Sequence, residues 1–430
     1  MLFRGWGETV DEAWPDLVTL PDPGGVPQLV VTRHALVRAV LADPVTFRPD
    51  NALDAVTPMP VAALRVLAGH RFRLPPTLAN NAGASHPEIR GIVAEALHPQ
   101  RVAAQRPWLT DLVRQRVTRL AAALAADQPV DLYADLAADL PLLVLARLVE
   151  LPDAPVGAVK DFARAALELF WAPLDADRQV ALAGEVGRFH TVLRDFAATG
   201  GGLAARLRAA GHSPDVVVGA LFFLLVAGQE TTSQFLTLLL HRLTGEPAVR
   251  AGLRDGTVDV ADVVEEGLRL EPPIVTWRRV AAVDTELAGV PVPAGRSLVL
   301  WLARAGRDAT VVEAPAHFRP GQRGSRRHLA FGAGAHRCVG AQLARLEAAV
   351  VVTEAAPLLD DVTVVRAPWC PDNLTFRMPD AFVVRRSGAA PADSTAVPGA
   401  APDGTIASGA AAAVAPASAG PRPAAVVAAT

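Results

Sequence analysis

A glycine-rich loop around one cysteine places the tightest constraint on how this chain can fold. Residues 328–347 read HLAFGAGAHRCVGAQLARLE, with Cys338 among glycines and just before a predicted helix. Glycines permit tight turns and close approach of a flat ligand, and the free N–H groups of a helix start favour a thiolate. An anionic sulfur held in this way suits an axial iron ligand. A small buried cysteine beside a helix start is the alternative interpretation.

A second candidate site lies in an apolar helix. Residues 224–234 read LLVAGQETTSQ, which places Gly228, Glu230 and Thr231 near the middle of that helix. Glycine and hydroxyl side chains can bend or open a helix, and an acid beside an alcohol can relay protons. A surface turn where the helix meets solvent is the alternative.

Two spaced pairs of polar residues complete the pattern. Glu266 and Arg269 have the i,i+3 spacing of partners on one helix face, although an exposed pair contributes only about 0.3–0.5 kcal/mol. His86 and Arg90 have the i,i+4 spacing and could together bind a carboxylate. Each of these residues could instead be an ordinary surface group.

The cysteine loop resembles the haem-binding loop of the cytochrome P450 family. Phe331, Gly334, Cys338 and Gly340 match its pattern F-x-x-G-x-x-x-C-x-G, and residues 227–231 resemble its A-G-x-E/D-T stretch. The order of all these motifs along the chain also agrees with the family. The resemblance implies a mainly α fold with a small β region. The implied fold is a helix-rich triangular prism, with haem b between the long central helix and the helix after the cysteine.

The resemblance also implies a role for each site residue. Cys338 would be the iron ligand, and Glu230 and Thr231 the catalytic pair that handles protons. Glu266 and Arg269 would be structural, with Arg323 as their third partner. The residues expected to contact haem are His86, Arg90, Ala227, Arg279 (with Arg278 as the neighbouring alternative), Phe331, Gly332, His336 and Gly340.

The substrate pocket is predicted from neighbouring segments. Residues 49–81 are rich in proline and are predicted to form a long irregular loop over the pocket. The predicted lining residues are apolar, apart from a glycine and a threonine, which leaves the substrate's identity open. They are Met59, Leu64, Phe72, Leu224, Gly228, Ile274, Val275 and Thr276.

The implied activity is that of a monooxygenase that inserts one oxygen atom of dioxygen into a small organic molecule, free or carrier-bound, in secondary metabolism. Electrons would come from NAD(P)H through a separate ferredoxin and ferredoxin reductase. The expected docking face for the ferredoxin consists of arginines, namely Arg101, Arg106, Arg114, Arg337 and Arg345. Alternatives are a P450-fold enzyme that couples rings, desaturates or nitrates, a peroxide-driven enzyme, a non-catalytic haem protein and a haem-free helical binding protein.

Composition excludes several other classes. A net charge of −3 argues against a general nucleic-acid binder, and two cysteines exclude a disulfide-stapled scaffold. The most apolar run, residues 216–228, is too short to span a bilayer. We therefore expect a soluble, cytoplasmic monomer without a membrane segment. Residues 1–386 would form one domain, and the Ala/Pro/Gly-rich residues 387–430 a disordered tail.

Periodicity predicts the secondary structure that carries these motifs. Apolar residues at three- and four-residue spacing predict helices over residues 107–126 and 341–359. Short runs rich in β-branched residues predict strands over residues 28–32, 297–302, 363–367 and 381–385.

Overall fold

Helices dominate the computed structural model, which describes residues 10, 13–20, 27–151 and 156–388. In chain order they are α1 (His34–Ala42), α2 (Val61–Gly69), α3 (His86–Ala96), α4 (Pro99–Ala103), α5 (Arg106–Ala125), α6 (Leu140–Val149), α7 (Val156–Trp171), α8 (Ala176–Thr199), α9 (Gly202–Ala209), α10 (Pro214–Ala227), α11 (Glu230–Thr244), α12 (Pro247–Asp255), α13 (Val260–Leu270), α14 (Leu302–Ala305) and α15 (Ala341–Ala355). A short π-helical turn, Tyr133–Ala137, precedes α6. Three 3-10 turns are Ser325–Arg327, Gly334–His336 and Ala356–Asp361.

The strands form three small sheets. They are β1 (Leu17–Leu20), β2 (Gln28–Val31), β3 (Phe47–Arg48), β4 (Val130–Asp131), β5 (Trp277–Ala281), β6 (Thr285–Leu287), β7 (Val290–Val292), β8 (Ser297–Leu300), β9 (Val362–Arg366) and β10 (Val383–Arg386). The largest sheet has the order β1-β2-β8-β5-β3, in which β2 and β8 run parallel and the other neighbours antiparallel. In β5 the registers Trp277↔Leu300 and Arg279↔Leu298 place Trp277 and Arg279 on the same face of the strand.

The main apolar core surrounds α10 and α11. Leu221, Leu225, Leu239 and Leu240 of these helices are buried, together with apolar faces of α5, α6, α7 and α15. Residues 214–244 together are long and apolar enough to cross a bilayer, but 72% of their most apolar window is buried inside the protein. This burial is typical of a core helix, the interpretation that the sequence suggested for residues 216–228.

The predicted elements agree with the structure at the level of existence and type. The two predicted helices correspond to α5 and α15, and the four predicted strands to β2, β8, β9 and β10. The predicted loop 49–81 differs, because it contains α2. Ala63 and Leu67 of that helix are buried against Ala183 of α8, and this i,i+4 pair is a helical signal that the flanking prolines conceal.

The packing of α2 on α8 is unusually close at one point. A Cβ atom added at Gly187 of α8 would lie 2.4 Å from the ring of His70, which follows α2 directly. His70 also contacts Thr191, and its carbonyl oxygen accepts a hydrogen bond of 3.2 Å from Arg194 NH1. Glycine at 187 is therefore what lets α2 rest against α8 at this depth.

The chain divides into two units, residues 1–389 and 390–430. The first contains every element above. The predicted disordered tail, residues 387–430, lies outside the described residues except for Ser387 and Gly388.

Candidate active site

A cavity of about 200 Å³, partly open to solvent, brings the two main motifs together. Ala227, Gly228 and Thr231 line one side of it, and Cys338 with Gly340 lines another. The loop reaches this position through Gly332 and Gly334, which have positive φ angles of 65° and 69°. A Cβ at Gly334 would lie 2.5 Å from the carbonyl oxygen of Leu41, so a larger residue would push the loop away from α1.

Cys338 faces the cavity from a rigid backbone. Its N–H donates a hydrogen bond of 2.9 Å to the carbonyl of Phe331, and the guanidinium of Arg345 lies 4.5 Å from the centre of the Phe331 ring. Burial raises the pKa of the Cys338 thiol, although the Gly340 N–H and the charge of Arg90 oppose this effect. A metal cation bound at the sulfur would favour the thiolate, as the free N–H groups of a helix start do.

One part of the cavity wall is basic, and no acidic residue of the described part of the chain lines the cavity. His86, Arg90, Arg279 and His336 all line it, and the rings of His86 and His336 stack with 4.2 Å between their centres. Burial alone lowers the pKa of Arg279 to about 10. Its NH1 group donates a hydrogen bond of 2.8 Å to the carbonyl of Arg278, and no carboxylate within the described ranges pairs with it.

These basic groups fit the carboxylates of haem b. A buried guanidinium is costly unless an anion accompanies it, and the two propionates would supply that anion next to Arg279 and Arg90. The His336 Nδ1 atom also has no hydrogen-bond partner in the described part of the chain. Arg278, the alternative at this position, turns to the carbonyl oxygens of Ala52 and Asp54 instead.

The long central helix opens where the sequence predicted it. Helix α10 ends at Ala227 and α11 begins at Glu230. The Thr231 hydroxyl donates a hydrogen bond of 2.7 Å to the freed carbonyl of Ala227, so its oxygen can still accept a proton from a donor in the cavity. Glu230 is fully buried but does not line the cavity, because its carboxylate contacts Lys160 of α7.

The Glu266–Arg269 pair is buried and acts as a structural clamp. Nε and NH2 of Arg269 donate hydrogen bonds of 2.8 and 2.6 Å to the two carboxylate oxygens of Glu266. NH1 and NH2 also bond the carbonyls of Pro315 and His317. Burial would raise the pKa of Glu266, but these hydrogen bonds and those from Arg319 N–H and Ser325 hold it below its usual value.

The predicted third partner, Arg323, is wrong. Arg323 is exposed, and Gln322 Nε2 instead donates a hydrogen bond of 2.6 Å to Oε1 of Glu266. The Ser325 hydroxyl bonds the other oxygen at 2.7 Å. The side chain one residue earlier is therefore the one that faces α13, and it is neutral where the family resemblance led us to expect a charge.

The structure divides the predicted substrate residues into two groups. Leu224, Gly228 and Ile274 line the cavity. Val275 and Thr276 do not line it: Thr276 is buried and bonds the carbonyl of Leu374 at 2.7 Å, and Val275 packs in a separate apolar cluster.

The three residues predicted from the 49–81 segment also lie elsewhere. Met59 packs beside the cluster of Ala63, Leu67 and Ala183. Leu64 is 51% exposed, because it lies on the outer face of α2. The Phe72 ring stacks on Phe170 with 6.3 Å between centres. The helical conformation of residues 61–69 turns these three side chains toward α8 and away from the cavity wall. Leu78 and Ala79, near the end of the segment, do line the cavity.

Sequence reasoning missed several residues at the site. Phe223, Phe235 and Trp277 line the cavity. Trp277 could have been found from the two-residue period of a strand, since it shares a face with Arg279. Lys160, which pairs with Glu230, carried no local signal because 69 residues separate the partners.

Comparisons with known proteins identify the family of the chain. The family model of cytochrome P450 matches residues 260–355. The chain is 30% identical over 366 residues to a vitamin D3 dihydroxylase of Streptomyces griseolus, covering 84% of this chain and 86% of that protein. It is 29% identical to an erythromycin C-12 hydroxylase of Saccharopolyspora erythraea, covering 78% and 83%.

The fold agrees as well. The structure of cytochrome P450 CREJ in complex with (4-ethylphenyl) dihydrogen phosphate superposes with a TM-score of 0.81 at 27% identity, covering 90% of this chain and 97% of that one. The family-model match over residues 260–355 includes the cysteine loop. The chain belongs to the cytochrome P450 family and is a haem-thiolate oxidoreductase.

Proposed function

We propose that the protein is a monooxygenase that inserts one oxygen atom of dioxygen into a small organic substrate. The observation that carries this proposal is that Cys338 and Thr231 line the same cavity, beside a basic wall formed by His86, Arg90 and Arg279. The relatives named above are hydroxylases, which supports hydroxylation in secondary metabolism over coupling, desaturation or nitration. The proposed location is the cytoplasm.

Haem b would supply oxygen activation, and it would be held by the Cys338 sulfur and by the guanidinium groups of Arg279 and Arg90. The remaining chemistry belongs to side chains of this chain. Thr231 offers its hydroxyl oxygen to the cavity, and Glu230 lies next to it as the nearest buried acid. Leu224, Phe223, Ile274 and Trp277 exclude water from the substrate side.

The first experiment measures the cofactor and the product together. The reduced protein under carbon monoxide should show the red-shifted band of a thiolate-bound haem. With ferredoxin, reductase, NAD(P)H and ¹⁸O₂, a converted substrate should gain one ¹⁸O atom. A product without added oxygen would favour coupling or desaturation. Absence of any substrate-dependent NAD(P)H consumption would favour a non-catalytic haem protein.

We also propose that electrons arrive from a ferredoxin at the face beside Cys338. Of the five arginines predicted there, three form ion pairs within the chain: Arg101 with Glu150, Arg114 with Glu354 and Arg345 with Glu265. Arg106 and Arg337 are exposed, and no acidic partner for either appears among the described residues. These two guanidinium groups are the ones available to an acidic partner.

Charge reversal tests the docking proposal. Arg337→Glu with Arg106→Glu should slow reduction by ferredoxin roughly tenfold at low salt, because steering depends on complementary charge. Arg337 also lines the cavity, so Arg106→Glu alone is the variant in which substrate dissociation constants should not change. Arg65→Glu is the matched control, since Arg65 is exposed on α2. Equal reduction rates in all three proteins would contradict the proposed docking face.

A further inference from the structure

A buried carboxylate on α13 contacts residues on both sides of Cys338. Glu265 precedes Glu266 in α13, and its side chain is only 4% exposed. The two neighbouring carboxylates face different parts of the chain. Glu266 binds the segment of residues 319–325, whereas Glu265 binds His328 and Arg345. Glu265 therefore joins α13 to the start of the cysteine loop and to α15.

The first of these contacts is an ion pair with Arg345. Nε of Arg345 donates a hydrogen bond to Oε1 of Glu265, and NH2 donates one of 3.2 Å to Oε2. A two-point contact of this kind fixes the plane of the guanidinium group. The same group lies 4.5 Å from the centre of the Phe331 ring, a distance at which a cation attracts an aromatic face. Glu265 therefore fixes the cation that rests on Phe331.

The second contact reaches the cysteine loop through an imidazole ring. His328 Nε2 lies 3.2 Å from Oε2 of Glu265, and the Ala330 N–H donates a hydrogen bond of 3.2 Å to His328 Nδ1. Because Nδ1 accepts a hydrogen bond, the ring proton is on Nε2 and points to the carboxylate. Burial lowers the pKa of His328, although Glu265 opposes this effect. At pH 7 the ring is therefore neutral and links Glu265 to the backbone at Ala330.

Both contacts end at the residue whose backbone binds the cysteine. The rings of His328 and Phe331 lie 5.8 Å apart between their centres, and Ala330 directly precedes Phe331 in the chain. The Phe331 carbonyl oxygen accepts the hydrogen bond of 2.9 Å from the Cys338 N–H. Groups that fix Phe331 at its ring and at the preceding peptide therefore also restrict the backbone of Cys338.

We propose that Glu265 is a positioning residue for the iron-binding sulfur of Cys338, and that it acts through Arg345 and His328 on Phe331. Groups that orient a metal ligand control how strongly this ligand donates charge to the metal. Without these contacts, we expect the sulfur to donate less charge and to be protonated more easily. The proposal depends on haem binding at Cys338 and not on the monooxygenase reaction.

Loss of Arg345 separates positioning from simple electrostatics, because the two effects have opposite signs. Arg345→Gln removes a positive charge, which by itself would stabilise the ferric state and lower the reduction potential. Weaker donation from the sulfur would destabilise the ferric state and raise the potential. We expect a rise, measured by dye-mediated titration of the haem-loaded protein without ferredoxin. Arg345→Lys keeps the charge and can still bind Glu265, so it should restore part of the wild-type potential.

His328 tests the other contact without a change of charge. His328→Leu replaces a neutral ring with an apolar side chain, and the reduction potential should rise as in Arg345→Gln. His328→Gln should lie close to wild type, because an amide can accept from Ala330 and donate to Glu265. In the reduced carbon monoxide complex, both defective variants should contain a larger share of thiol-bound haem. Their haem dissociation constants should rise about tenfold.

Arg326→Gln is the matched control for the loss of an ion pair on α13. Arg326 pairs with Asp262 in the first turn of this helix and is 61% exposed, so the variant does not disturb the contacts of Glu265. Its reduction potential and carbon monoxide spectrum should equal those of wild type. The thermal midpoint of each haem-loaded variant measures how much of any effect comes from a general loss of stability.

Three results would overturn the proposal. A lower potential in Arg345→Gln with a wild-type carbon monoxide spectrum would mean that the arginine acts by its charge alone. A wild-type potential and spectrum in His328→Leu would mean that the imidazole does not position the loop. Equal shifts in Arg326→Gln and Arg345→Gln would mean that the loss of any ion pair on α13 has this effect.

The experiment also distinguishes this inference from the proposed function. No measurement of potential, carbon monoxide spectrum or haem affinity requires a substrate or a redox partner. A wild-type protein that binds haem but oxygenates no substrate would contradict the proposed function and leave the positioning role of Glu265 intact. A wild-type protein that binds no haem would contradict both.

Discussion

Gln322 Nε2 donates a hydrogen bond of 2.6 Å to Oε1 of Glu266, the buried partner of Arg269. Gln322→Ala should therefore destabilise the protein by about 1–3 kcal/mol, because it leaves a buried carboxylate less well satisfied. Arg323→Ala, one residue along, should stay within about 0.5 kcal/mol of wild type. Urea unfolding of the haem-loaded protein measures both. Equal losses in the two variants would contradict the assignment.

Arg279 should be important for retaining haem. Arg279→Leu removes a buried cation that has no acidic partner among the described residues, and we expect haem affinity to fall by about 2 kcal/mol, or about thirtyfold. The rate of haem transfer to an excess of apomyoglobin reports this change. Arg279→Lys keeps the charge and should lose less haem affinity than Arg279→Leu. If the two variants lose the same haem affinity, packing and not charge explains the effect.

Thr231 and Thr237 make the same kind of bond on different sides of one helix. Each hydroxyl donates to the carbonyl four residues earlier, at 2.7 and 2.8 Å, but only Thr231 of the two lines the cavity. Thr231→Ala should lower product formed per NAD(P)H roughly tenfold and release peroxide instead. Thr237→Ala controls for the loss of the backbone bond and should keep the wild-type yield.

Low pH should reduce the free energy of unfolding, because Glu265 is protonated more readily in the unfolded chain than in the folded one. Burial would raise the pKa of this carboxyl, but hydrogen bonds from His328 and Arg345 lower it to about 2. Above pH 4.5 the carboxyl is ionised in the folded and unfolded chain, so its full contribution is present. As pH falls from 4.5 toward 2, the unfolded chain binds a proton that the folded chain does not.

The free energy of unfolding should fall by about 2 kcal/mol by pH 3 through this group. Chemical unfolding at pH 5, 4 and 3 measures it. Glu265→Gln should be less stable at pH 5 and should show a flatter dependence on pH. A slope identical to wild type would mean that other carboxylates govern the acid transition.

Trp277 should limit the size of the substrate. Its ring lines the cavity and packs edge-on against Phe376 with 6.5 Å between centres. Trp277→Ala should tighten the binding of bulky ligands relative to small ones, as measured by type-I spectral titration. Phe72→Leu removes an aromatic side chain outside the cavity, so the ratio of the two affinities should not change in that variant.

The sequence predicted which motif residues lie at the cavity better than it predicted the remaining residues of the cavity wall. Cys338, Thr231 and Arg279 were identifiable because each belongs to a motif whose spacing is set by local backbone geometry. The Arg323 assignment was wrong by one residue, because the direction of a side chain in an irregular loop depends on tertiary contacts. Phe72 was misplaced because α2 lies within a proline-rich segment. Lys160 could not be found, since its pairing with Glu230 depends on how two distant helices pack.

The imidazole of His70 occupies the space that a side chain at position 187 would need. The ring therefore blocks a sliding movement of α2 along α8, unless the His70 side chain first moves out of this space. We therefore expect α2 and α8 to move together in any conformational change of this region. The connection that precedes α2 is held as well, because Arg278 donates to the carbonyl oxygens of Ala52 and Asp54, so a movement of the two helices would break those bonds.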